Sequence, residues 1–398
     1  MTMLTAEPRP ATDTDRPGGT MPDPVDRSLV DAIARRAAAA DRGERDLAAD
    51  VGGLRTAGWL TAPLPRSAGG HGWGTEPGGT RSCLRALRTL GAVSLPVARL
   101  FEGHVNAVKL VHRYAEGAGR TAALEMICNG GLLGVWGADR PDAPLRAVPA
   151  ADGLRLWGTK AFASGLGVVT AAVVSVPAWP GASSTADADP SADAEHAGTR
   201  LLLAPADDPA RIDPAAWTPV GMRATASGTY RFDGVHLPAH AAIGTADDWF
   251  VEPFFEGGVW RYCAAHVGAA EFLFRRLRDA LLARGRAHES NQENRLVRAA
   301  VAVETARMWT ERAADRVERE HAPPAAAAVS LLAREVVQDA CRDVIRLTEE
   351  ALGVAAHLPG DVERTRRDLS LFVCQAAPDA KRARAAAELR RSGTPETW

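Results

Sequence analysis

The strongest constraint on this chain is that its hydrophobic period changes twice. From Val25 to about Gly130 apolar residues recur at helical spacing, as in Leu29, Ile33 and Ala37, then Leu84, Leu87 and Leu90, then Val105, Val108 and Val111. Around Leu132 the pattern becomes short apolar runs bounded by Gly, Pro and Asp: Leu132–Trp136, Leu154–Trp157, Val168–Val176, Leu201–Ala204 and Tyr230–Leu237. Runs of that length with β-branched and aromatic residues predict a small antiparallel β-barrel or sandwich. After Pro238 long stretches rich in Ala, Leu, Glu and Arg return, over Arg261–Ala283, Arg295–Arg319, Ala325–Leu352 and Ala376–Arg391, and predict a four-helix bundle. A chain of 398 residues exceeds one ordinary core. The expected architecture is α+β multidomain: a helical domain over 25–130, a β domain over 131–240 and a helical bundle over 241–398.

Two segments are expected to carry no packed structure. Residues 1–24 are rich in Pro, Thr and Gly without periodic apolar positions, and 178–199 is a low-complexity stretch expected to be a flexible hairpin tip. The formal charge of -2, from 47 basic and 49 acidic residues, argues against nucleic-acid binding, which needs a positive surplus. Small molecules are the expected partners. Lys109, Lys160 and Lys381 are the only lysines; the arginine excess, with abundant alanine, reads as coding bias. Cys83, Cys128, Cys263, Cys341 and Cys374 show no metal-binding or disulfide spacing, which fits a reducing compartment. No apolar run reaches the roughly 20 residues that cross a bilayer. A cytoplasmic protein, not a membrane protein, is expected.

Local motifs narrow the reading. The glycines of Pro65–Gly74 lack a preceding strand and a βαβ unit, so this is a connecting loop and not a dinucleotide loop. Gly158–Gly165 reads GTKAFASG, Gly221–Pro238 reads GMRATASGTYRFDGVHLP, and Pro359–Asp368 reads PGDVERTRRD. These segments, in a helical, β, helical order, resemble the acyl-CoA dehydrogenase family over roughly Val25–Arg391. The resemblance implies FAD, an acyl thioester substrate linked to CoA or a carrier protein, and a homodimer or homotetramer. It also implies cofactor contacts from Phe162, Ser164, Trp136, Arg223, Thr225, Ser227, Arg286, Gln292, Gly353 and Gln375. On a strand, Phe162 can lie against a flavin face with Ser164 two residues on, on the same side, offering a hydroxyl to N5 or O4. Arg223, Thr225 and Ser227 alternate onto one face, either lining the cofactor or forming a buried hydrogen-bond set. Glu363, Arg364, Arg367 and Asp368 are expected to knit helices together.

The departures from the family are as informative. Dehydrogenating an acyl thioester needs a base for the α-proton, and the two positions where the family places a glutamate align with Ala376 and Trp260. Substitute candidates are Asp379, Glu256 and His104, near Glu102. Asp379 is equally a helix N-terminal acid, and His104 equally a satisfied polar residue that begins or caps a helix. The family's T-E-P-x-x-G-S-D loop is replaced by Val135–Asp142, and its R-x-x-F-G stretch is not evident in Arg284–Gln292. Three functions follow: oxidation of an acyl thioester with a non-standard base, a flavin-dependent monooxygenase in which the missing carboxylate is expected, or a catalytically silent binding homologue.

Overall fold

The computed structural model describes residues 22–178, 198–374 and 377–392. The expected tail and flexible tip fall almost entirely outside them, as do Gln375 and Ala376.

Five helices lead: α1 (Arg27–Asp41), α2 (Ala48–Thr56), α3 (Thr80–Gly91), α4 (Leu95–Tyr114) and α5 (Gly117–Cys128). Asp26 caps α1 by accepting from the Leu29 N–H, and Ser94 caps α4, with Pro96 in a first turn that needs no donor. Helix α4 is buried along nearly its whole length, polar residues included. Pro65–Gly74 is the connecting loop expected, folded so that the Gly72 N–H reaches Leu64 O at 2.8 Å and Trp73 is fully buried.

Short strands follow: β1 (Leu133–Trp136), β2 (Arg146–Ala150), β3 (Gly153–Trp157), β4 (Thr159–Ala163), β5 (Ala171–Pro177), β6 (Thr199–Pro205), β7 (Ile212–Asp213), β8 (Gly228–Arg231), β9 (Val235–Leu237) and β10 (Ala242–Ile243). They form three small sheets, ordered β1-β5-β6-β10, β2-β3-β9 and β4-β8-β7. Pairing is antiparallel except between β1 and β5, which run parallel because the chain crosses through three other strands between them. The last strand lies beyond position 240, paired with Leu201 and Leu202. Trp136, Tyr230 and Phe232 pack at ring separations of 5.5 and 4.8 Å in this core. Lys160 is buried beside them, its ammonium satisfied by Ser175 O at 2.6 Å, Ser175 Oγ at 3.1 Å and Asp139 at 2.7 Å.

The C-terminal part is α6 (Trp260–Ala283), α7 (Ser290–Val317), α8 (Ala326–Leu352), α9 (Asp361–Phe372) and α10 (Pro378–Ser392). Helices α6, α7 and α8 pack on one another, and α9 and α10 close on them. Arg367 and Asp368 clamp α9 to the middle of the chain and to α1: Asp368 accepts from the Met222 N–H at 2.7 Å, while Arg367 donates to Val220 O and, at 2.6 Å, to Asp41.

Helices α3 and α6 touch backbone to backbone. A Cβ on Gly91 would lie 2.0 Å from Ala265 O, and one on Gly268 would lie 2.0 Å from Arg88 O. Alanine is worth about 1 kcal/mol over glycine in a free helix, but here it forces the helices apart. Gly91→Ala and Gly268→Ala should each lose about 1–3 kcal/mol in urea unfolding, the scale of an overpacked core. A neutral or stabilised variant would contradict the close approach.

Candidate functional site

Helix α4 carries Arg99, Glu102, Asn106, Lys109 and Arg113, spaced 3, 4, 3 and 4 residues apart and therefore on one face. That face lines a cavity of about 250 Å³ closed by Val135 of β1, the aromatic rings of Trp249, Phe254 and Phe255, the start of α6, and Lys381 of α10. A charged stripe at helical spacing usually meets water; here Glu102 and Lys109 are buried, Arg99 and Asn106 half-buried, and only Arg113 is exposed.

Its charges are wired together. Glu318, which follows α7 and is buried, is held by Lys109 and by Arg261 at 2.8 Å, and accepts from the Trp260 indole N–H at 3.1 Å. Arg261 donates on to Asn106, which donates to Glu102, which is paired with Arg99. Burial opposes the Glu318 carboxylate, and Lys109 and Arg261 overcome it, holding the group below its ordinary range. Burial also drives Lys109 down to about 8, against the pull of Glu318. On the far wall Glu256 is buried with one oxygen on Arg384 and the other 3.3 Å from Lys381. Glu252 accepts from the Glu256 and Gly257 N–H groups, and burial raises it to about 7.

Of the proposed bases, only Glu256 lines this cavity. Asp379 is on the first turn of α10, its side chain 92% exposed and paired with Arg382 at 3.0 Å. His104 neither begins nor caps a helix: it lies in the middle of α4, fully buried, because the helix starts earlier, at Ser94. Its Nδ1 accepts from the Leu133 N–H at 3.0 Å, so the remaining proton sits on Nε2 and is donated to Leu60 O at 2.7 Å. This neutral ring ties α4 to β1 and to the loop before α3, and burial lowers its pKa to about 4. Trp260, at the family's alternative glutamate position, is fully buried.

The proposed cofactor residues divide into two groups. Phe162 is 67% exposed, has φ 52°, and meets Trp217 edge-on at 6.3 Å. The β4–β8 register shifts between Lys160 and Ala163, so simple alternation fails and Phe162 and Ser164 are not residues of one regular strand face. Ser164 instead joins a row of hydroxyls, 3.0 Å from Ser227, which is 2.8 Å from Thr225. Arg223, Thr225 and Ser227 do not alternate on a strand: Arg223–Thr225 is a 3-10 turn between left-handed Met222 and Ala226, which sends Arg223 outward to Asp41. Trp136 lies in the β core, its indole N–H on Ser164 O at 3.1 Å. The second group sits at the far end of the α6–α8 bundle: Arg286, half-buried and paired with Glu289 at 2.8 Å; Gln292, buried; and Gly353, at positive φ after α8. Gln375 lies outside the described residues.

Sequence reading missed Glu318, Arg261, Asn106 and Lys109. The available signal was the 3-4-3-4 stripe on α4 and the position of two rare lysines on one cavity. Among the described residues no cluster suits a metal ion, and no helix is long and apolar enough to cross a membrane.

With this geometry in place, comparison with solved structures identifies the fold as that of the acyl-CoA dehydrogenases and related flavoproteins. Butyryl-CoA dehydrogenase from Megasphaera elsdenii superposes with TM-score 0.77 at 16% identity, over 93% of this chain and 96% of that one. Methanesulfinate monooxygenase MsuC from Pseudomonas fluorescens gives 0.75 at 18%, over 94% and 98%. Dibenzothiophene monooxygenase TdsC from Paenibacillus sp. A11-2 gives 0.73 at 20%, over 92% and 96%, and has also been solved with FMN bound. No family model and no curated protein sequence matches the chain.

His104 and His266 are both buried, with pKa values lowered by burial to about 4 and about 3. Below the ordinary value of 6.5 the unfolded chain takes up protons that the folded one refuses, so their contribution to stability is full above that pH and falls as pH drops toward 4. Glu252 and Asp368, raised to about 7 and about 6, act in the opposite sense. The difference between wild type and His266→Leu isolates one histidine. In urea titrations between pH 6.5 and 4, the wild type should lose stability relative to the variant by about 1.4 kcal/mol per pH unit; parallel pH profiles would contradict the assignment.

Proposed function

We propose that this protein is a flavin-dependent oxidoreductase whose cofactor ring lies against Phe162 beside the Ser164 hydroxyl. The observation that carries the reading is Phe162: a bulky aromatic held at positive φ and left largely exposed beside Trp217 is strained and apolar at once, and a planar ligand face relieves the exposure. The hydroxyl row supports it. Thr225 donates its one proton to Met222 O at 2.6 Å, so Ser227 must donate to Thr225 and Ser164 to Ser227. Ser164 therefore presents lone pairs, suited to an N–H on the ring edge, and its proton, already given to Ser227, is not free for N5 or O4 as the sequence reading expected. Bound there, FAD, as the resemblance implies, or FMN, as in TdsC, supplies two-electron redox chemistry. Arg286, Gln292 and Gly353 belong to the phosphate or adenine end in this reading, reached from a second copy of the chain. The homodimer or homotetramer would cover the exposed Val297, Val301 and Met308 of α7.

Among the reactions open to such an enzyme, monooxygenation fits the cavity better than CH–CH oxidation of an acyl thioester. Proton abstraction needs a carboxylate or imidazole free to accept. Both oxygens of Glu256 are committed to Arg384 and Lys381, Asp379 is on the surface, and His104 is sealed between two backbone groups. Monooxygenation asks for no such base and takes dioxygen and an external electron donor as co-substrates.

The purified protein should carry, or take up on adding FAD or FMN, a visible flavin spectrum, and Phe162→Ala should weaken the binding by about tenfold or more, the scale of one lost stacking contact. Anaerobic butyryl-CoA should leave the bound flavin unbleached. A protein that binds neither flavin would end this reading, and rapid bleaching by butyryl-CoA would restore acyl-thioester oxidation.

A further inference from the structure

Two of the three lysines in a chain whose 47 basic residues are otherwise arginine line the same cavity. Five cationic side chains line it in all, against the two carboxylates Glu102 and Glu256. The pairing leaves cations over. Glu318 is one negative charge shared by Lys109 and Arg261, and Glu256 is one shared by Lys381 and Arg384. Arg113 stands over the Phe254 ring at 3.2 Å and has no carboxylate within ion-pair distance among the described residues. Two further acids lie near the Tyr114 side: Asp248, held by Thr245, and Glu252, whose rise to about 7 leaves it only partly charged near neutrality. Each ammonium has three donors, and Lys109 and Lys381 each meet one carboxylate among the described residues. The remaining wall is mostly apolar, with Trp249, Phe255, Val135 and Val259 beside Tyr114 and Tyr262.

We propose that this cavity binds a compact organic acid as its substrate, an apolar body carrying one anionic head group, with the head held by Lys381, Lys109 and Arg113 and the body against the aromatic wall. The assignment of the cavity as a substrate site rests on the proposed function; the class of ligand rests on the charges. An uncharged acyl tail would leave these cations facing a hydrocarbon and bury ammonium donors without acceptors, which is unfavourable. An anion fills the missing half of the pairing, and a volume of about 250 Å³ suits a small acid.

The test is calorimetric titration of the full-length protein, in parallel, with benzoate, hexanoate, phenyl phosphate, benzamide and butyryl-CoA. At least one of the three acids should bind, about tenfold or more tightly than benzamide, with affinity falling as salt rises, because a charge-assisted hydrogen bond is worth at least that factor. Lys381→Met should weaken that acid by about tenfold while the protein still unfolds cooperatively, since Arg384 remains on Glu256. Glu256→Gln should strengthen it, since the competing carboxylate is gone. These two variants avoid the buried trio around Glu318, where a lost charge would damage folding. Equal binding of benzamide, tighter binding of butyryl-CoA than of every acid, no binding of any acid at millimolar concentration, or indifference to both variants would each overturn the proposal. The titration reads heat and not colour. A colourless protein that binds the acid fails only the flavin reading, and a yellow one that prefers benzamide fails only this one.

Discussion

Glu318 joins three helices that the chain places far apart. It follows α7, yet its carboxylate is met by Lys109 of α4 and by Arg261 and Trp260 of α6. Burying three charges this deeply is expensive in desolvation, and an apolar trio of the same shape would often be as stable. What the ionic version adds is geometry. Arg261 is fixed by Glu318 on one side and Asn106 on the other, which in turn orients Glu102 and Arg99. The polar face of α4 therefore stands at defined positions along the cavity. An apolar substitute for Glu318 would release Arg261 and Lys109 together and leave two uncompensated cations in the interior.

The fold was legible because its signal is periodic. The first change of hydrophobic period marks the passage from α5 to β1; the second, read after Pro238, falls just before β10, and the long helices resume at α6. Local geometry was less so. The stretch around Arg223 reads as alternating strand but is a turn between left-handed residues, and nothing in its composition announces Met222 and Ala226 at positive φ. The β4 bulge has the same origin: one residue of register moves Phe162 out of the face where alternation puts it. His104 reads from sequence as a residue that begins or caps a helix, whereas Ser94 and Pro96 set the start more than two turns earlier.

The candidate site was hidden for a different reason. Its residues come from α4, the segment before α6, the end of α7, and α10, and no motif joins them. Polar residues at helical spacing on α4 look like a solvated surface until the partner helices are present. Lysine usage carried the clue instead. Arginine dominates the basic residues, yet Lys160 and Lys109 are buried and the Lys381 side chain is 14% exposed. Where a compact ammonium must fit among several acceptors, as Lys160 does between Ser175 and Asp139, a planar guanidinium does not substitute. Coding bias does not account for where lysine survives.

The lack of a free base and the cationic lining of the cavity are two sides of one electrostatic arrangement. A base that must accept a proton needs an environment that does not hold its charge, and a wall of arginine and lysine does the reverse to any carboxylate placed on it. Glu256 illustrates this, gripped by Arg384 and Lys381. Trp260 gives its indole N–H to Glu318 and so belongs to the scaffold that orients the cations. In this cavity every lining carboxylate is already paired with a cation, so its chemistry is set by the positive charge around it and not by a free proton acceptor.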